Sequence, residues 1–181
     1  MKRLVILGGG ESGVGAALLG KEKEYNVFLS DAGKIAQKYK DVLIHNEIEW
    51  EDKGHTESEI LNADLVVKSP GIPDHIPLIQ KLVGAKISVV SEIEFAAGFT
   101  AATIIGITGS NGKTTTTMMV HHIVKQAGLD VAMGGNIGDS FARQVLNNNA
   151  NYVLELSSFQ LDGIEKFRPH IAVITNITPD I

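Results

Sequence analysis

The sequence predicts an α/β fold in which two units with parallel sheets follow one another along the chain. Short, continuous apolar runs alternate with helical segments, a pattern typical of strands that are buried on both faces of a parallel sheet. A glycine-rich turn follows the first run of each unit, and the whole pattern restarts at Thr103. We therefore expect one domain over residues 1–98 and part of a second over residues 99–181.

The elements of the first unit follow from its apolar runs and its capping residues. The predicted strands cover residues 4–7, 27–29, 42–44, 65–67 and 87–90, and the predicted helices cover residues 16–23 and 77–83 and a segment after Ser91 that extends through Ala97. A glycine-rich turn occupies residues 8–15. Ser91 is a suitable N-cap for the last helix, and Glu94 would complete a capping box with it.

The second unit repeats this alternation. Its predicted strands cover residues 103–107, 131–133, 152–156 and 171–174, and its predicted helices cover residues 113–126 and 141–146. Gly128 stands just past the longer helix as its C-cap. The chain stops at Ile181, soon after a strand that would still need a covering helix. We therefore expect that the chain is a fragment of a longer protein.

Composition and charge exclude several classes of protein. The 181 residues are 44% hydrophobic, carry a net charge of −5 and include no cysteine. An acidic balance argues against a nucleic-acid partner, and the lack of cysteine excludes a disulfide scaffold, a thiolate zinc site and a cysteine nucleophile. No apolar run approaches the ~20 residues that span a bilayer. We expect a cytoplasmic protein without a membrane partner.

The strongest chemical signal is the second glycine-rich turn. It consists of Gly109, Ser110, Asn111, Gly112, Lys113, Thr114 and Thr115, between a predicted strand and a predicted helix. Backbone N–H groups in such a turn can bind phosphate, while the lysine reaches the β- and γ-phosphates and the first threonine coordinates Mg²⁺. The match to the usual phosphate loop is imperfect because Ile107 stands where its first glycine is expected. A tight turn with a surface lysine is the alternative.

A weaker signal lies in the first unit, where residues 8–13 contain the pattern G-x-G-x-x-G. Asp31 ends the second predicted strand, at the distance where a dinucleotide-binding fold places its ribose-binding acid. The pattern is compatible with NAD or FAD, with another nucleotide or phosphate ligand, or with an ordinary tight turn.

One acidic residue and two further turns complete the candidate set. Glu155 lies in an apolar strand, where a carboxylate is costly to bury unless it is paired or binds a metal. It would lie beside the Mg²⁺ ligand Thr114 if the two strands are neighbours. The turns at residues 69–71 and 134–138 follow strands, where α/β sheets collect ligands.

Several segments together resemble the Mur ligase family. Residues 108–115 are similar to the phosphate loop of Mur ligases and folylpolyglutamate synthases, which explains the departure from the common pattern. Residues 69–72, 134–138, 154–161 and 176–180 resemble signatures of the members that join D-glutamate to UDP-N-acetylmuramoyl-L-alanine. The resemblance extends over the whole chain.

The resemblance implies a Rossmann-like domain that binds the uridine diphosphate of a sugar substrate, followed by part of a P-loop-type ATP-binding domain. The implied substrate-binding positions are Gly10, Glu11, Ser12, Gly13, Asp31, Ala32, Ser69, Pro70, Gly71, Asn136 and Ser157. Residues 109–115 would bind ATP, Lys113 and Glu155 would be catalytic, and Thr114 and Glu155 would hold Mg²⁺. The implied reaction forms an acyl phosphate in peptidoglycan precursor synthesis, and the whole enzyme would be a monomer.

One departure limits what the chain can do. The family pattern continues Thr-x-Asp-His, but Ile181 stands at the histidine position and the chain ends. The family's carbamylated lysine and C-terminal domain have no counterpart, so we expect this chain alone to lack ligase activity. An NAD(P)-dependent oxidoreductase that uses residues 8–13 and a non-catalytic nucleotide-binding module are the alternatives.

Overall fold

A computed structural model describes residues 1–178 and contains two parallel β-sheets. The first has the order β3-β2-β1-β4-β5. Its strands are β1 (Arg3–Leu7), β2 (Asn26–Ser30), β3 (Glu49–Glu51), β4 (Leu65–Lys68) and β5 (Ser88–Ser91). In the central strand β1, residues 4–7 are apolar and fully buried, as expected where helices cover both faces of a sheet.

Five helices surround the first sheet. They are α1 (Glu11–Glu22), α2 (Gln37–His45), α3 (Glu57–Ile60), α4 (Pro77–Gly84) and α5 (Glu92–Ala97). Successive residues of β1 point to opposite faces, so Leu4 and Ile6 pack in the cluster that contains the buried residues of α1 and α5. Val5 and Leu7 pack on the other face with residues of α4.

The second sheet has the order β7-β8-β6-β9. Its strands are β6 (Thr103–Thr108), β7 (Val131–Gly135), β8 (Asn151–Glu155) and β9 (Ile171–Ile174), with helices α6 (Lys113–Gln126), α7 (Phe141–Val145) and α8 (Ser158–Asp162). Helix α7 packs against α1 and α5, and residues of both units share one buried cluster. The two sheets are therefore joined by a common core.

The α/β class with parallel sheets is confirmed, but the third strand was placed wrongly. Residues 42–44 belong to the helix α2, in which Leu43 is buried. The strand is instead Glu49–Glu51, an edge strand of two glutamates around a half-buried tryptophan, with no fully buried residue. An edge strand that faces solvent lacks the apolar run on which the prediction relied.

The glycine-rich turn of the first unit is shorter than expected. Helix α1 begins at Glu11, so Gly13 and Gly15 are helical residues rather than turn residues. A Cβ on Gly13 would collide with the carbonyl oxygen of Gly8. These glycines serve close packing of the helix, which outweighs their low helix propensity.

Only half of the expected capping box forms at α5. The Ser91 hydroxyl accepts the backbone N–H of Glu94 at 3.1 Å. The Glu94 carboxylate does not return to Ser91 but accepts backbone N–H groups of Glu165, Lys166 and Phe167 in the second unit. The Glu94 side chain thus takes part in the contact between the two units instead of capping its own helix. No helix within residues 1–178 is long and apolar enough to cross a membrane.

Candidate active site

The predicted phosphate loop connects β6 to α6 at the carboxyl edge of the second sheet. Gly109 and Gly112 have φ angles of 135° and 81°, which few other residues adopt. Gly112 is the N-cap of α6, so the helix presents its first N–H groups at the end of the loop. The local sequence therefore produces the strand, turn and helix that phosphate binding requires.

The lysine of this loop folds back over it. The Lys113 Nζ donates to the carbonyl oxygens of Gly109 at 2.8 Å and Ser110 at 3.2 Å. Its ammonium group thus lies against the loop, where it can contribute positive charge to a bound phosphate.

Thr175 and Asn176, which follow β9, form hydrogen bonds to the loop. The backbone N–H of Asn111 donates to Asn176 Oδ1 at 3.0 Å, and the N–H of Ser110 donates to the Asn176 carbonyl at 2.9 Å. Thr175 Oγ1 donates to the Asn111 carbonyl at 2.6 Å. Sequence reasoning did not assign a role to Thr175 or Asn176, because their contact depends on β9 lying next to β6.

Glu155 joins two other predicted site residues. Its side chain is 3% exposed, Thr114 Oγ1 donates to its Oε2 at 2.7 Å, and Asn136 Nδ2 donates to its Oε1 at 2.9 Å. The cause is the strand order, since β8 pairs with β6 and Glu155 lies opposite Ile107. The structure therefore brings together Thr114, Glu155 and Asn136 from three separate segments.

A tight turn after β7 holds Asn136 in this position. Gly135 has a φ of 99°, and a Cβ there would collide with the carbonyl of Glu155. The backbone N–H of Asn136 donates to the same carbonyl at 2.8 Å. Glycine is needed at position 135 because the turn approaches β8 closely.

The residues at this point fit a divalent cation. Both oxygens of the buried Glu155 accept from neutral groups, and no salt bridge to it is found within residues 1–178. A buried carboxylate without a cationic partner is unfavourable unless a cation binds there. The described chain has no cluster of three or more acidic or histidine ligands. A Mg²⁺ ion here would need phosphate oxygens or water as further ligands, as Mg²⁺ at nucleotides usually does.

The glycine turn of the first unit is held by Asp31. The Asp31 Oδ2 accepts the N–H of Gly9 at 2.5 Å, and its Oδ1 accepts the N–H of Gly33 at 2.7 Å. Both carboxylate oxygens therefore already stabilise backbone turns.

Two adjoining cavities contain most of the predicted substrate-binding residues. The larger, about 460 Å³, is lined by Gly8, Gly10, Asp31, Ala32, His55, Ser69, Gly71, Ile72, Pro73 and Ile76. The smaller, about 310 Å³, is lined by Gly10, Glu11, Ser12, Ser69, Pro70, Gly71, Gly135, Asn136, Gly138 and Gln160. They share Gly10, Ser69 and Gly71, and the smaller one lies between the two units. The two cavities thus place Asp31 at one end and Asn136, which donates to the buried Glu155, at the other.

Gly13 and Ser157 line neither of these cavities. Gly13 packs α1 against the glycine turn. Ser157 caps α8 in a full capping box with Gln160, whose Oε1 accepts the Ser157 N–H at 2.9 Å. These contacts explain why a glycine stands at position 13 and a serine at position 157.

The larger cavity also contains a histidine that sequence reasoning missed. His55 Nδ1 and Glu51 Oε1 each lie 2.6 Å from the buried Ser30 Oγ. Burial raises the pKa of Glu51, but hydrogen bonds from Ser30 and Thr56 outweigh it and hold the pKa below its usual value. Because Glu51 is ionised, the Ser30 hydroxyl donates to it and His55 Nδ1–H donates to Ser30. The network thus orients the imidazole, and no sequence pattern signals it.

The fold and these contacts define an α/β protein with two parallel sheets and a glycine-rich loop of the phosphate-loop type between β6 and α6. A model of the MurD N-terminal domain matches residues 3–76, and a model of the Mur ligase middle domain matches residues 107–180. The chain belongs to the Mur ligase family, as its motifs predicted.

The matched relatives agree with the family models. The UDP-N-acetylmuramoylalanine–D-glutamate ligase of Christiangramia forsetii is 64% identical over 180 residues, which cover 99% of this chain and 40% of that protein. The ligase of the same name from Bacteroides thetaiotaomicron is 57% identical, with coverage of 99% and 41%. The chain thus spans about two fifths of the length of these curated relatives.

Solved structures share the fold at lower identity. A UDP-N-acetylmuramate:L-alanyl-gamma-D-glutamyl-meso-diaminopimelate ligase from Neisseria meningitides has a TM-score of 0.68 at 20% identity, covering 99% of this chain and 62% of that one. The UDP-N-acetylmuramate-alanine ligase MurC from Thermotoga maritima has a TM-score of 0.64 at 22% identity, covering 99% and 42%.

Proposed function

We propose that this chain forms the UDP-sugar-binding and ATP-binding part of a ligase that joins D-glutamate to UDP-N-acetylmuramoyl-L-alanine. The main support is the pair of adjoining cavities that share Gly10 and Ser69, one lined by Asp31 and the other by Asn136, whose side chain donates to Glu155. A nucleotide-sugar that occupies both cavities would direct its distal carboxylate toward Asn136 and the phosphate loop. Such an arrangement suits a reaction between that carboxylate and ATP.

The two units have separate roles in this proposal. Residues 1–98 hold the uridine diphosphate through the first turn of α1, the cavity at Asp31 and Ala32, and the turn formed by Ser69, Pro70 and Gly71. Residues 99–181 hold ATP through Gly109 to Thr115. The unpaired N–H groups at the start of α1 and α6 favour phosphate at both places.

The chemistry explains why both sites are needed. A carboxylate is a poor acyl donor because oxide is a poor leaving group. Transfer of the γ-phosphoryl group from ATP to a carboxylate oxygen releases ADP and makes an acyl phosphate. The amine of D-glutamate then attacks the carbonyl carbon, loses a proton and expels phosphate, which leaves an amide.

Three side chains of the second unit would serve the phosphoryl transfer. Thr114 and Glu155 would hold Mg²⁺, which neutralises charge on the phosphates when bound. Lys113 would move from the loop carbonyls to the phosphate oxygens and stabilise the charge of the transferring group. Asn136 lines the smaller cavity and donates a hydrogen bond to Glu155, so it would contact the substrate next to the Mg²⁺ ligands.

The oxidoreductase hypothesis explains less of the structure. That hypothesis uses the glycine turn at residues 8–13 and Asp31, so it accounts only for features of the first unit. It also assigns no role to the buried contact between Thr114 and Glu155. A cytoplasmic location and a monomeric whole enzyme accompany the ligase proposal, as does the expectation that this chain alone is inactive.

Calorimetric titration with UDP-N-acetylmuramoyl-L-alanine, MgATP and NADH tests these readings. We expect the first two to bind and NADH not to bind, whereas NADH binding without uridine-nucleotide binding would contradict the proposal. Lys113→Met should abolish MgATP binding, while Lys125→Met, an exposed lysine at the other end of α6, should not change it. A phosphate-release assay with all three substrates should give only background turnover for this chain.

A further inference from the structure

The carboxylate of Glu11 stands beside the proposed diphosphate position. Glu11 is the first residue of α1 and lines the smaller cavity together with Gly10 and Ser12. The N-cap Gly10 has no side chain that could accept from the first turn, so those N–H groups are open to an anion. A free carboxylate at this point would occupy the helix N-terminus itself and repel an incoming phosphate.

Donors of the second unit bind this carboxylate. Arg143 Nε donates to Glu11 Oε1 at 2.6 Å, and Arg143 Nη2 donates to Glu11 Oε2 at 3.2 Å. The backbone N–H of Ser140 donates to Glu11 Oε1 at 3.2 Å. A two-pronged contact of this kind fixes the orientation of the carboxylate as well as compensating its charge. The hydrogen bond with Glu11 raises the pKa of Arg143 above its ordinary value.

The position of Arg143 is set by packing as well as by the ion pair. Helices α1 and α7 approach so closely that a Cβ on Gly15 would collide with the Ser140 hydroxyl. The buried carboxylate of Glu92 also accepts the N–H of Ala142. Arg143 is thus presented to Glu11 by backbone contacts that remain when either side chain is changed.

We propose that Arg143 is a positioning residue for the anion site of the first unit. It holds the Glu11 side chain on α7 and neutralises it, so that the diphosphate of a nucleotide can occupy the N-terminus of α1. The proposal rests on the proposed function, because it takes a nucleoside diphosphate as the ligand of residues 10–12. It makes the nucleotide affinity of the first unit depend on a side chain of the second.

A purely structural role for the ion pair predicts a different pattern of mutants. If Glu11 and Arg143 only join the two units, removal of either partner should weaken the contact similarly, and the double variant should be no better than the single ones. If Arg143 acts through the charge of Glu11, its removal is harmful only while that charge is present. The double variant therefore separates the two roles.

The experiment is a calorimetric titration of UDP into the wild type, Glu11→Gln, Arg143→Gln and the double variant. Arg143→Gln should bind UDP about tenfold more weakly at low salt, the effect of one uncompensated charge near an anion at a partly exposed site. Glu11→Gln should bind at least as tightly as the wild type, because it removes the repelling charge and keeps the backbone N–H groups that would bind the diphosphate. The double variant should return to within about twofold of the wild type. Arg168→Gln, an exposed arginine outside both cavities, controls for the change in net charge.

Salt dependence gives a second readout that a structural role would not produce. Raising the salt from about 0.05 M to about 0.5 M should shrink the difference between the wild type and Arg143→Gln, since the repulsion is screened. Equal UDP binding by the wild type and Arg143→Gln would overturn the proposal, and so would a double variant as weak as Arg143→Gln. A wild type that binds no UDP would instead contradict the proposed function.

Discussion

The buried Glu92 makes a specific prediction about pH and stability. Its side chain is 2% exposed, its Oε1 accepts the N–H of Ala142, and its Oε2 has no partner among the described residues. Burial raises the pKa of Glu92 to about 7, while the Ala142 N–H opposes the rise and the nearby charge of Glu11 adds to it. The perturbation is Glu92→Gln, which keeps an acceptor for Ala142 but cannot ionise.

The direction of the effect follows from the two protonation states. Below the ordinary pKa of 4.5, both folded and unfolded protein hold the proton. As the pH rises toward about 7, the unfolded chain releases the proton and the folded chain retains it, so the free energy of unfolding falls. A pKa difference of this size corresponds to on the order of 3 kcal/mol between pH 4 and pH 8.

Urea unfolding at pH 5 and pH 8 measures this difference. We expect Glu92→Gln to be more stable than the wild type at pH 8 by about 1–3 kcal/mol, because burial of the amide offsets part of the gain. The two proteins should differ much less at pH 5. An equal difference at both pH values would refute the reasoning, since it would mean that Glu92 does not titrate between them.

Three further changes test other parts of the structure. Burial raises the pKa of Glu94, but hydrogen bonds from three backbone N–H groups outweigh it and lower the pKa. Glu94→Gln should therefore reduce the free energy of unfolding at pH 7, and urea unfolding should show a smaller reduction at pH 3. Leu154→Ala, at a fully buried position, should cost about 2–5 kcal/mol by urea unfolding, whereas Leu129→Ala at a 54% exposed position should cost far less. Gly135→Ala should reduce MgATP binding more than Gly138→Ala in calorimetry, because a Cβ collides with Glu155 at the first site and meets open space at the second.

Other outcomes would contradict these expectations. A stability loss for Glu94→Gln that grows at low pH would mean that its hydrogen bonds to the second unit do not favour the ionised form. Similar costs for the two leucine variants would contradict the buried position of Leu154. Equal MgATP binding by the two glycine variants would show that the close turn at Gly135 does not position Glu155.

Strong local signals allowed much of the second unit to be predicted. Helix α6 and strand β9 have the predicted bounds, because a glycine-rich turn opens the helix at Lys113 and an apolar run defines the strand at Ile171. The strand β3 could not be predicted in the same way. Its three residues at the sheet edge are two glutamates around the half-buried Trp50, and only pairing with β2 makes them a strand.

Helix α8 shows a second kind of limit. It has only five residues, Ser158–Asp162, and depends on the capping box formed by Ser157 and Gln160. A helix this short has little intrinsic stability in isolation, so its formation depends on its place after β8. The capping box at Glu94 also depends on tertiary structure. Its carboxylate accepts from the second unit instead of completing the local hydrogen bond to Ser91.

The local sequence predicts the separate parts of the candidate site, because a glycine-rich loop, a glycine turn and the strands around them depend on neighbouring residues. The amino-acid pattern alone thus predicts Lys113, Thr114 and the α/β class. The meeting of those parts required the tertiary structure. Glu155 contacts Thr114 only because β8 pairs with β6, and Arg143 contacts Glu11 only because α7 packs on α1. Such contacts depend on strand order and helix packing, which local periodicity does not encode.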